Sequence, residues 1–83
     1  MEEQGTVALT QPSTGKVAIR ASDGSYVLAE QLDAKPLEVG RRLSGRMNSV
    51  GIEDWVDVQS GDSYAVFIQA FGCSYEAVRY ELA

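Results

Sequence analysis

Apolar side chains recur at every second position in short runs, and each run stops at a cluster of Gly, Pro, Asp or Ser. Alternation of this kind sends successive side chains to opposite faces of an extended chain, which is the signature of half-buried β-strands. Thr6–Thr10 is the first run, with Val7 and Leu9 expected on one face, and Gln11-Pro12-Ser13-Thr14-Gly15 turns it. Lys16–Arg20 is the second, with Val17 and Ile19 inward and Lys16 and Arg20 outward. Asp23-Gly24 suits the positive φ angles of a tight hairpin. Ser25–Leu32 then gives a third strand with Tyr26, Leu28 and Leu32 on one side. The three runs read as an antiparallel meander.

Pro36 has no N–H and drives Lys35 toward extended backbone, so Asp33-Ala34-Lys35-Pro36 breaks the ladder. Arg41–Met47 resumes it, with Gly45 as the place for a bulge or sharp bend. Asn48–Gly51 turns, Asp54–Gln59 carries Trp55, Val56 and Val58, and Ser60-Gly61-Asp62 turns again. Ser63–Phe71 is apolar on both faces, which predicts a central or barrel-closing strand. After it the period changes. Ser74 suits a helix N-cap, Glu76 suits the first turn, and Tyr75, Val78 and Leu82 share one helical face. So short a helix is marginal alone and is expected to dock on the sheet.

Six short strands in 83 residues predict one all-β domain over 1–83, a five- to six-stranded antiparallel barrel closed by a helix from about residue 74. Gly5-Thr6-Val7, a turn ending at Gly15, the strand around Ala18-Ile19, and Asp23-Gly24 resemble the opening of cold-shock and related oligonucleotide-binding barrels. Leu37-Glu38-Val39-Gly40-Arg41-Arg42-Leu43-Ser44-Gly45 is similar to the pattern that begins a later strand there. The resemblance spans roughly the first 47 residues and implies an oligonucleotide-binding-like barrel; an SH3-like barrel is the alternative that the strand count leaves open. Cold-shock domains stack bases on several aromatics, each worth about 1–3 kcal/mol. At the matching positions this chain has Lys16-Val17-Ala18-Ile19-Arg20 with no aromatic, then Tyr26 alone.

Charge narrows the partners further. Seven Lys and Arg against twelve Asp and Glu give −5, which opposes polyanions at long range. Anionic membranes are disfavoured in the same way. There is no His, so the usual acid–base near neutral pH is missing, and a single Cys forms no intrachain disulfide or thiolate metal cage. No catalytic residue, metal site or cofactor is expected. The acids Glu53, Asp54, Asp57 and Asp62 lack the regular spacing of a calcium loop. Cys73, at the strand–helix junction, reads as a small half-buried residue. Met1-Glu2-Glu3-Gln4-Gly5 has no basic region leading into an apolar stretch, so a reducing cytoplasmic setting is expected; a bacterial source is a separate expectation.

Two candidate surfaces remain. Lys16, Arg20, Tyr26, Arg41, Arg42 and Arg46 are the candidates for nucleic-acid or anion binding. Alternation puts Arg42 and Arg46 on one face and Arg41 on the other; pairing with Glu53, Asp54 or Asp57 is the competing use of these cations. Trp55, Phe67 and Phe71 are the candidates for contact with a protein, with a core or end-cap place as the competing role for Trp55. The expected function is a non-catalytic interaction module, monomeric or weakly dimeric, that binds a protein partner. Weak single-stranded nucleic-acid binding is the alternative.

Overall fold

The computed structural model describes residues 3–82; the acidic start at Met1 and Glu2 lies outside the described residues, as does Ala83. The elements are β1 (Glu3–Gln11), β2 (Lys16–Ala21), β3 (Tyr26–Gln31), β4 (Arg42–Gly45), β5 (Gly51–Asp57), β6 (Ser63–Cys73) and α1 (Tyr75–Glu81). The strands close into a barrel in the order β1-β2-β3-β6-β5-β4, and every neighbouring pair is antiparallel. This is the six-stranded antiparallel barrel with a C-terminal helix that the alternation predicts. Two meanders, β1-β2-β3 and β4-β5-β6, meet along two seams, β1–β4 and β3–β6. The apolar strand β6 takes the closing place expected of it.

The barrel interior is filled by Val7, Val17, Ile19, Val27, Ala29, Leu43, Met47, Trp55, Tyr64, Val66 and Ile68, with Leu37 packed against them. Lys16 and Arg20 point outward and Val17 and Ile19 inward, as period two requires. Trp55 was a candidate contact residue, but it is fully buried and belongs to the core. Its indole N–H donates to the Arg46 carbonyl at 2.8 Å, so its one polar atom is satisfied inside. Gly45 ends β4 at φ 155°, and a Cβ there would sit 2.7 Å from Trp55 Cδ1 and 2.9 Å from the Asp54 carbonyl. The bend expected at Gly45 is thus also the close approach that admits the indole.

Other positions differ from the sequence expectation in register, face or strand boundary. β1 slips register between Val7 and Leu9, so Val7 faces the core while Leu9 lies outside in a second cluster. A bulge adds a residue to one strand and re-aims the side chains beyond it. Tyr26 and Leu28 share a face, but it is the outer one; Val27 and Ala29 take the inner positions. Leu32 lies beyond the end of β3 and is exposed. β5 begins at Gly51, earlier than the turn residues suggest, and Val56 and Val58 are exposed.

The outer cluster is where α1 docks. Val78 is buried against Ala18 and Leu28, with Leu9, Tyr26, Ala70, Cys73 and Leu82 around it. The Ser74 hydroxyl accepts from the Ala77 N–H at 3.2 Å and caps the helix. Burying Val78 is worth about 2 kcal/mol, which exceeds what so short a helix holds by itself. Tyr75 is half-exposed beside Tyr26, their ring centroids 5.5 Å apart.

The connection from β3 to β4 is fixed by Asp33. Its Oδ2 accepts from the Ala65 N–H at 2.8 Å, and its Oδ1 accepts from Gln31 Nε2 at 2.6 Å and the Lys35 N–H at 3.2 Å. Burial opposes its ionisation, but the Ala65 N–H and the other donors prevail and hold the carboxyl below its ordinary range. Lys35 Nζ donates to the Ser63 carbonyl at 2.7 Å.

Candidate functional site

Strand register assembles one row of candidate side chains on the outer surface. Tyr26 of β3 pairs with Arg20 of β2, Arg20 with Thr6 of β1, and Thr6 with Arg42 of β4. Arg20, Thr6 and Arg42 are all exposed. The two arginines line one shallow depression of about 400 Å³, together with Gln4, Gly5, Thr6, Ala8, Ala21 and Ser22. Arg42 Nη2 donates to Gln4 Oε1 at 3.2 Å, which orients the guanidinium without neutralising it. Arg46 is exposed one residue past the end of β4.

The other basic candidates are committed elsewhere. Arg41 turns away from this surface: Nη1 lies 3.5 Å from Asp57 Oδ2 and Nη2 3.5 Å from Glu38 Oε1. Asp57 is buried, and its Oδ1 accepts from the Gln59 and Ser60 N–H groups at 2.8 and 3.2 Å. The Gln59 N–H holds the carboxyl below the ordinary range; burial works against this, and the Ser60 N–H and the Arg41 guanidinium add to it. The Arg41–Asp57 pair therefore links the residue before β4 to the end of β5. Lys16 Nζ lies 3.6 Å from Glu81 Oε2 and ties β2 to α1.

A different outer face carries the exposed apolar residues. Ile52 of β5 and Phe67 of β6 are cross-strand partners, 72% and 37% exposed. Val50, Val56 and Phe71 are also exposed. Glu30 flanks Phe67 on β3, and Asp54 follows Ile52 on the same face of β5. β5 pairs with β6 only up to Gly51–Ile68, so among the described residues 69–73 of β6 have β3 as their sole strand neighbour. Phe67 and Phe71 thus lie on an accessible surface, while Trp55 lies behind it in the core.

Sequence reasoning missed Ile52, Thr6, Gln4 and Ser22. Ile52 follows Gly51, which reads as a turn, and the three polar residues join the arginines only through pairing. Among the described residues no group of three or more Cys, Asp or Glu is placed to hold a metal ion. None of their helices is long and apolar enough to cross a membrane. No protein-family model matches the chain, and no curated protein or solved structure matches it either, so these two surfaces carry the assignment.

Proposed function

We propose that the protein is a non-catalytic interaction module that binds a segment of another protein across the outer face of β5 and β6. The observation that carries this is the exposed Ile52–Phe67 pair. Isolated surface hydrophobics are ordinary, but here two are cross-strand partners with Val50, Val56 and Phe71 exposed on the same two strands or beside them. Aromatic side chains, Phe among them, are enriched in the buried centres of protein contacts. The singly paired stretch 69–73 offers backbone groups to an added strand. Glu30 and Asp54 at the rim, and the net charge of −5, favour an apolar segment flanked by Lys or Arg. The lone Cys73 fits a reducing cytoplasm, and the turn glycines support kinship with oligonucleotide-binding barrels.

Single-stranded nucleic acid is the second reading, favoured by the row Tyr26–Arg20–Thr6–Arg42. It has less support, because Lys16 and Arg41 are bonded to acids and the Tyr26 ring packs against Tyr75.

A photo-crosslinking residue at position 52, in cells that produce the protein, tests the first reading. The expected result is a discrete adduct with another protein, absent when the same residue replaces Thr14 and lost with Phe67→Asp. Equal adducts at both positions, or adducts only between copies of this chain, would overturn it. Fluorescence of the buried Trp55 checks that each variant is folded.

A further inference from the structure

We propose that the depression between Arg20 and Arg42 binds a single phosphate monoester, independently of the apolar face. Of the seven Lys and Arg, Lys16 and Arg41 lie in ion pairs and Lys35 donates to a backbone carbonyl. Arg20 and Arg42 form no ion pair among the described residues, in a chain where acids outnumber bases. They stand on either side of Thr6, two strand spacings or about 10 Å apart at the backbone. Two long side chains reach that far toward a shared anion. Guanidinium forks bind phosphate oxygens bidentately, which gives them an advantage over Lys at such a site.

The neutral lining completes the set of donors. Thr6 and Ser22, each with a hydroxyl donor, line the same depression, and Gln4 bonds Arg42. A polynucleotide fits less well. Its affinity grows with the number of phosphates neutralised, and this surface offers two arginines in one hollow on a chain of net charge −5. A lone phosphate group needs no more than the hollow supplies.

A phosphate monoester gains its second charge at about pH 6, and two guanidinium groups hold the dianion more tightly than the monoanion. The experiment is a titration of the 15N-labelled protein with methyl phosphate, a monoester, at low salt, followed by NMR at about pH 7.5 and about pH 5.5. Saturable shifts are expected at Gln4, Thr6, Ala8, Arg20, Ser22 and Arg42. Affinity should fall severalfold at the lower pH. Arg20→Gln and Arg42→Gln should each weaken binding at least about tenfold, while Arg46→Gln and Ile52→Asp leave it unchanged. A single-stranded oligonucleotide in place of phosphate is the second arm. No saturable phosphate shift, shifts that survive both arginine variants, or oligonucleotide binding that is tighter and independent of pH would each overturn the proposal.

Discussion

The indole N–H of Trp55 reaches out of β5 to the carbonyl of Arg46, 2.8 Å away, and so pins the chain just beyond β4 to the barrel core. Trp55→Phe keeps an aromatic ring but removes that bond and leaves a gap beside Gly45. The expected loss is about 2–3 kcal/mol of stability, read from urea unfolding. A loss within about 0.5 kcal/mol would show that the indole does not hold this corner.

Gly45→Ala should destabilise by more than about 2 kcal/mol, because the new Cβ meets both the Trp55 ring and the Asp54 carbonyl at a φ only glycine readily adopts. Gly51→Ala is the matched control. It also has a positive φ, 132°, but open space around it, so it carries backbone strain without a collision. Thermal unfolding of the two variants should rank Gly45→Ala as clearly the worse.

The Asp57 carboxyl titrates below its ordinary range in the folded protein, held first by the Gln59 N–H. A depressed folded value means that the carboxylate stabilises the fold above the unfolded value, near pH 4, and that this contribution disappears as pH falls through the folded one. Asp57→Asn should therefore be less stable than the wild type at neutral pH, and the difference should shrink in acid. Unfolding curves at a series of pH values check it; a difference that grows on acidification would contradict the assignment.

Two of the contacts that hold α1 are unequal in strength. Val78→Ala removes buried methyl groups and should cost about 2 kcal/mol. Glu81→Gln removes the Lys16 ion pair, which lies at 3.6 Å with the Glu81 side chain half-exposed, and should cost no more than about 0.5 kcal/mol. Hydrogen exchange of the α1 amides separates the two: faster in Val78→Ala and nearly unchanged in Glu81→Gln.

Alternation and apolar runs indicate six strands, with β5 beginning at Gly51 and not at Asp54, and in β2 alternation also gives the orientation of Lys16, Val17, Ile19 and Arg20, because that strand is regular. It failed for Leu9, where a bulge reverses the faces, since nothing in Val7-Ala8-Leu9 marks an extra residue. It also could not decide for Trp55. The acids Asp54 and Asp57 suggest an exposed neighbourhood, yet Asp57 points inward with Arg41 as its partner. The Arg20–Arg42 hollow was illegible for another reason. The residues are distant in sequence and meet only because β1 pairs with β2 on one side and β4 on the other. Register of that kind depends on the whole closed sheet.

The joining of two meanders along distant seams also governs how the chain reaches this state. Val7, Val17, Ile19, Val27 and Ala29 come from the first half of the chain; Leu43, Trp55, Tyr64, Val66 and Ile68 come from the second. Neither half encloses a core, so a hairpin formed early gains little until its counterpart arrives. The entropy of bringing the halves together is spent before most apolar surface is buried. Non-local β topologies of this kind fold on a scale of roughly milliseconds to seconds.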